Sequence, residues 1–223
     1  MRVKDAMTTD PQAVGPHTSL KDTAAILAEH RMAEAPVVDE EGHVIGVITA
    51  ADILIKERAE VQHRRLGSLL HHREATELAT KVEARTAGEA MSAPPATIEP
   101  WEPLADAATL MLERGINCLP VVEGDKLVGF LTRADFVRAF ARTDGEIERE
   151  IRDDALIGLA VPEALEVRVE KGDVTLRGEV DTKYDAQAIP ATIRRIPGVV
   201  SIDAELDCWD PDANCKVVVA TRL

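Results

Sequence analysis

The chain repeats itself, and that fact limits its fold more than any other. Residues 5–54 align with residues 89–137 at an offset of 84, which falls to 83 after a one-residue gap near Gly42. Ala6, Met7, Pro11, Pro16, Leu20, Asp22, Ala24, Glu29, Pro36, Val37, Val38, Gly46, Thr49, Ala51 and Asp52 all recur. These are fifteen identities in fifty positions, against about three expected from ordinary composition. Two copies at so long a period exclude a solenoid, which stacks many short repeats.

Each copy follows one order. A short extended piece ends in Pro16, or Pro100 in the second copy. Leu20, Ala24, Ile26 and Leu27, like Leu104, Ala108, Leu110, Met111 and Leu112, are spaced for an amphipathic helix. Pro36-Val37-Val38 and Leu119-Pro120-Val121-Val122 predict a short buried strand. A polar, glycine-containing turn follows, then a second strand at 44–49 and 127–132. Asp52 and Asp135, with their neighbours, open a helix.

Composition narrows the function classes. Hydrophobic residues are 45% of the chain and aromatics 3%, so the core is built from Val, Leu, Ile and Ala. Few stacking platforms remain for single-stranded nucleic acid. A net charge of −14 repels phosphate backbones and anionic lipids unless a basic patch intervenes. No uncharged apolar run approaches the roughly 18 residues of a membrane span, and the start has no signal-peptide core. Three scattered cysteines make no disulfide framework. The expectation is a soluble cytoplasmic protein with no nucleic-acid partner.

The repeated residues resemble a known family. Met7-Thr8 and Met91-Ser92, the Pro-Val-Val segments, and Gly46-Val47-Ile48-Thr49-Ala50-Ala51-Asp52 with Gly129-Phe130-Leu131-Thr132-Arg133-Ala134-Asp135 resemble the CBS domain, named after cystathionine β-synthase. The resemblance covers residues 1–140. It implies two β-α-β-β-α units in a pseudo-symmetric pair, and a homodimer formed through that pair.

Thr-x-x-Asp has a chemistry of its own at a strand-to-helix junction. Thr49 as N-cap with Asp52 in the first turn is sufficient as plain capping. The functional reading has Asp52 and Asp135 accept hydrogen bonds from a ribose diol, since a carboxylate offers two acceptors to two donors. Thr49 and Thr132, with free N–H groups at the helix start, then face a phosphate. In the resembled family these positions contact the ribose and phosphate of adenosine nucleotides held between the units. Arg133 stands where the first copy has Ala50, and a guanidinium reaches a phosphate bidentately. Arg114, aligned with His30 of His30-Arg31, offers a further cation. The Asp135 site is therefore expected to be the stronger polyphosphate site. Thr8, Met32, Ala35 and Pro36 are candidates to line one adenine slot, and Ser92, Ile116, Leu119 and Pro120 the other. Met32 and Ile116 are equally at home in a core. The Gly-rich loop of P-loop hydrolases does not occur.

The linker, residues 59–85, joins CBS unit 1 (1–58) to CBS unit 2 (86–143). Residues 56–85 are net +2, with Lys56, Arg58, Arg64, Arg65, Arg73, Lys81 and Arg85. Ile53, Leu54, Val61, Leu66, Leu69 and Leu70 suit a helical stripe. His63, His71 and His72 read as a polar helix surface rather than a metal or pH sensor.

Residues 144–223 form a separate domain. Asp144 is expected to cap a helix over 146–159, and Leu165 to Glu170 alternates as a strand. Lys171-Gly172-Asp173 is a hairpin turn, and 174–180 is its partner strand. Residues 183–196 read as a helix that Pro190 kinks or breaks, and 198–206 as a third strand. Residues 217–220 are expected to add another strand. Cys208 and Cys215 flank the turn before it and read as free thiols rather than a redox pair; Cys118 reads as core. The pattern Val167-x-Val169-x-x-Gly172-x-Val174-x-Leu176-x-Gly178-x-Val180, with Ile196-Pro197-Gly198-Val199, resembles the BON domain, a small bacterial module suspected of lipid or envelope association. Residues 144–223 carry net −8, which argues against an anionic membrane. A protein-interaction or self-association role is the expectation.

The combined expectation is an α+β, non-catalytic regulatory sensor without cofactor or metal. It binds AMP, ADP, ATP or S-adenosylmethionine in the CBS pair and transmits occupancy to the BON-like domain. The alternatives are a ligand-independent scaffold and a lipid-recruited module.

Overall fold

The computed structural model describes residues 1–55, 81–156, 165–208 and 215–222 of the chain. The linker residues Val61, His63, Leu66, Leu69, Leu70, His71 and His72, the helix end at Leu159, and the turn at 209–214 lie outside them. Two compact units are resolved, Arg2–Arg133 and Ala134–Leu223, the latter counted together with Met1.

The first unit holds both copies. In copy one, α1 (Val3–Ala6), β1 (Thr8–Thr9), α2 (Leu20–Glu29), β2 (Glu34–Val38) and β3 (Val44–Thr49) lead into a helical run at 50–55. Copy two gives α3 (Ala87–Ala90), α4 (Leu104–Arg114), β4 (Cys118–Glu123) and β5 (Lys126–Thr132), and its closing helix α5 (Arg133–Phe140) carries the chain into the second unit. Both middle helices end in the same way. Met32 N–H returns to the Leu27 carbonyl at 2.8 Å, and Ile116 N–H to Met111 at 3.0 Å. That closure needs a left-handed residue before it, supplied by Arg31 (φ 54°) in one copy and Gly115 (φ 63°) in the other.

The copies exchange their opening segments. β1 starts copy one but pairs antiparallel with β5 of copy two, Thr8 opposite Phe130 and Thr9 opposite Gly129. Ser92 starts copy two but bridges Val47 in β3 of copy one, through reciprocal bonds of 2.9 and 3.1 Å. Two glycines admit these crossings. A Cβ at Gly46 would stand 2.3 Å from Met91 Sδ, and one at Gly129 would stand 2.3 Å from Met7 Sδ. Val14, Leu20, Leu27, Val37 and Ile48 form copy one's core with Ala87 and Ala90 from the opening of copy two.

The second unit runs from α5 through α6 (Asp144–Glu150) and a π-helical turn (Ile151–Ala155). Its sheet has the order β6 (Glu166–Glu170), β7 (Asp173–Val180), β8 (Ser201–Cys208), β9 (Cys215–Arg222). β7 and β8 are parallel, so they need a crossover, which α7 (Lys183–Ile193) provides. The expected extra strand is present as β9.

Three local expectations are corrected. The helix cap is Thr143, whose N–H and hydroxyl donate to the Glu146 carboxylate at 2.8 and 2.7 Å. Asp144 instead accepts from the N–H groups of Lys171 and Gly172 at 2.7 and 2.9 Å, holding the β6–β7 turn. α7 continues through Pro190 without breaking. Its Ala186, Ile189 and Ile193 are fully buried, and that packing offsets the roughly 3 kcal/mol of an internal proline. Cys208 is disulfide-bonded rather than free, with Cys215 opposite it in the β8–β9 register. Among the described residues no helix is long and apolar enough to cross a membrane.

Candidate functional site: the Thr-x-x-Asp junctions and a cleft between the copies

At the end of β3 the chain turns into a helix, and Thr49 and Asp52 cap that turn reciprocally. Asp52 N–H donates to Thr49 Oγ1 at 3.2 Å. In return Asp52 Oδ2 accepts from the Thr49 N–H at 2.9 Å and from its hydroxyl at 2.8 Å. Asp52 is only 5% exposed. A buried carboxylate needs a cation, and Lys81 supplies it. The Lys81 ammonium donates to Asp52 Oδ1 and, at 3.0 Å, to Ser92 Oγ. The sequence marked Lys81 only as one basic residue of a net-positive linker; nothing local indicates that it returns to Asp52.

Beside this junction lies a cleft of about 240 Å³. Copy one lines it with Glu34, Val47 and Thr49. Copy two adds Ser92, Pro94, Pro95 and Ala96, then Gly115, Ile116, Asn117 and Cys118. Thr49 is thereby brought together with Ser92 and Ile116, so this cleft combines one copy's motif with the other copy's opening segment. Arg133 donates to the Ile116 carbonyl at 3.2 Å, which sets its guanidinium beside a cleft-lining residue.

The remaining candidates are distributed as follows. Asp135, 2% exposed, lies in the first turn of α5 and is ion-paired with Arg138. Thr132 ends β5 and is half-buried; Thr8 and Arg114 are exposed. Ala35 and Leu119 are fully buried, Pro36 and Pro120 are buried beside them in β2 and β4, and Met32 packs against copy one's core. Glu34, Val47, Asn117 and the Pro94–Pro95 pair are cleft residues that sequence reasoning did not single out. Glu34 and Cys118 occupy equivalent positions in the two copies, a signal visible in the repeat alignment.

Cys118 is a buried thiol at the cleft wall. Burial pushes its pKa far above the ordinary 9.0, and the charge of and hydrogen bond to the neighbouring Glu34 carboxylate push it further the same way. It is held as a neutral thiol. Asp39, Glu41 and His43 gather their ligand atoms within 4.8 Å on the β2–β3 turn. Asp39 Oδ1 accepts the N–H groups of His43 and Glu41 at 2.8 and 3.1 Å, and its Oδ2 lies 3.1 Å from His43 Nδ1. The backbone bond from His43 leads in lowering the Asp39 pKa. The trio is accounted for as the bonding of a turn.

Comparison with known proteins agrees with this architecture. A family model of the CBS domain matches residues 3–57 and 87–142, and one of the BON domain matches residues 143–207. The CBS domain-containing protein CBSX1, chloroplastic, of Arabidopsis thaliana is 31% identical over 139 residues, 58% of this chain and 59% of that protein. The chain thus spans about three fifths of the length of such curated relatives. The solved structure of CBSX2 in complex with AMP is 31% identical with a TM-score of 0.50, over 62% of this chain and 94% of that one. The CBS domain pair of protein MJ0100, in complex with 5′-methylthioadenosine and S-adenosyl-L-methionine, is 27% identical with a TM-score of 0.50, over 63% of this chain and all of that one. The chain belongs to the CBS-domain proteins, as a tandem CBS pair followed by a C-terminal BON domain.

Proposed function

We propose that this protein is a non-catalytic regulatory sensor that binds an adenosine-containing nucleotide in its CBS pair and passes occupancy to its BON domain. One observation carries the reading: a buried carboxylate, Asp52, at a strand-to-helix junction beside a cleft lined by both copies. Capping and ligand binding are compatible here, because Thr49 occupies Oδ2 and leaves Oδ1 to whatever cation or diol approaches. The cleft is slightly smaller than typical ligand pockets of about 300–1,000 Å³, which suits a nucleoside with its phosphates at the rim. AMP in the CBSX2 structure and S-adenosyl-L-methionine in the MJ0100 structure support the ligand class. Thr132, Arg133 and Asp135 form the second candidate motif.

Occupancy of a cleft between two copies shifts their relative angle, and typical allosteric couplings are about 1–3 kcal/mol. The BON domain presents a protein-interaction surface, the CBS pair forms a homodimer, and the protein acts in the cytoplasm. Calorimetry with AMP, ADP, ATP and S-adenosylmethionine is the direct test. Asp52→Ala is expected to weaken the tightest of them by about tenfold or more, a charged hydrogen-bond acceptor being lost. Unchanged affinity in both Asp52→Ala and Asp135→Ala would return the motifs to capping alone and favour a ligand-independent scaffold. Flotation with anionic liposomes would reveal the lipid-recruited alternative.

A further inference from the structure

The ammonium of Lys81 holds the Asp52 oxygen that a ribose diol would have to reach. Asp52 Oδ2 already accepts two donors from Thr49, and Oδ1 accepts Lys81. A cis-diol brings two donors of its own and must take Oδ1 from the lysine. Lys81 is 20% exposed and its other partner, Ser92 Oγ, is neutral. A displaced ammonium, only partly open to water and left with a neutral hydroxyl, is held more strongly by a new anion than by solvent. A phosphorylated nucleoside supplies one; a neutral nucleoside does not, and a sulfonium nucleoside brings a second positive charge. Lys81 borders the cleft at Ser92, Arg133 at Ile116 and Asp52 at Thr49, and the carboxylate of Glu34 lines it.

We propose that Lys81 is the specificity-determining residue of this cleft: it guards Asp52 and yields to a ligand that carries a phosphate, selecting nucleoside phosphates over nucleosides and sulfonium nucleosides. This rests on the adenosine reading above and narrows it to the phosphorylated class. The Lys81–Asp52 pair is replaced by a diol on Asp52 and a phosphate on Lys81, with Ser92 retained as the anchor.

Calorimetry on the full chain with AMP, adenosine and S-adenosylmethionine tests it. The wild type is expected to bind AMP about 10- to 100-fold more tightly than adenosine, the worth of a charged hydrogen bond. Lys81→Met is expected to weaken AMP, to strengthen adenosine by freeing Asp52, and to bring the two within about threefold. An unchanged AMP-to-adenosine ratio in Lys81→Met overturns the proposal while leaving the adenosine reading intact. Because Lys81→Met leaves a buried carboxylate without its cation, a second measurement uses the unaltered protein. Labelling by an amine-reactive ester, read by mass spectrometry, is expected to rise at Lys81 with adenosine and to fall with AMP. Equal labelling with both ligands bound overturns the proposal. If S-adenosylmethionine binds the wild type and AMP does not, this inference alone falls; if none of AMP, ADP, ATP, adenosine and S-adenosylmethionine binds, the adenosine reading falls with it.

Discussion

The two copies of the CBS unit share a scaffold and differ in how charge is supplied to it. Gly46 against Met91 and Gly129 against Met7 are the same contact made twice. The acids are not served alike. Asp52 is paired with Lys81, a linker residue 29 positions away. Asp135 is paired with Arg138 of its own helix, 68% exposed, where copy one has Ile55. An arginine three residues along a helix pairs as a consequence of helix geometry. A lysine from the linker pairs only if the linker is in place. The two acids are thus identical in sequence and placement and differ in where their cation comes from.

The largest effects are expected at the shared glycines. Gly46→Ala sets a methyl against Met91 and, at 3.0 Å, against the Ser92 backbone carbonyl; at Gly129→Ala the three nearest atoms all belong to the Met7 side chain. Overpacking of this kind costs about 1–3 kcal/mol. Chemical denaturation is expected to show Gly46→Ala near the top of that range and Gly129→Ala near the bottom, since a methionine side chain moves aside and a strand carbonyl does not. Equal costs would mean that the crossings are not distinguished by their backbone neighbours.

Next come the helix ends. Arg31 holds a left-handed conformation that Gly115 holds without a Cβ. Arg31→Gly is expected to stabilise the chain, and Gly115→Ala to destabilise it, each by about 1 kcal/mol. Thermal denaturation of the two variants should therefore shift in opposite directions.

The smallest effect concerns Glu34 and Cys118, equivalent residues that meet each other. Native Cys118 is expected to resist iodoacetamide at pH 8 and to react once the chain is unfolded. Glu34→Gln should raise its native reactivity only slightly, because burial is the larger cause and remains. The sign of the pH dependence follows. Above pH 9 the unfolded thiol releases its proton and the folded one keeps it, so this residue's contribution to stability falls as pH rises past 9. Rapid alkylation of the native protein at pH 8 would overturn this account.

Most of the fold was legible because the repeat doubles every local signal. Helix spacing, the Pro-Val-Val strands and the Thr-x-x-Asp junction each occur twice, so an accidental pattern in one copy is checked by the other. The second domain was legible through its alternating strands and the Lys171-Gly172 turn. What sequence did not reveal depends on long-range geometry. Asp144 looks like a helix cap until the β6–β7 turn arrives with two unpaired N–H groups. Pro190 looks like a helix breaker until Ile189 and Ile193 are buried around it. The cleft was half legible: Thr49, Ser92 and Ile116 were singled out, but their grouping follows from the exchange of opening segments, which no single-copy pattern encodes. Lys81 carries no local signature at all.

The exchange of opening segments also sets a schedule for synthesis. Thr8 pairs with Phe130, so β1 emerges about 120 residues before its partner strand. At roughly 5–20 residues per second, that is on the order of ten seconds of waiting on the ribosome. Copy one therefore cannot complete its contacts while it is the only copy made. Its unpaired opening strand is only two residues long, and both are exposed threonines. So short and polar an edge offers little for another chain to pair with, which makes the wait for the second copy a safe one.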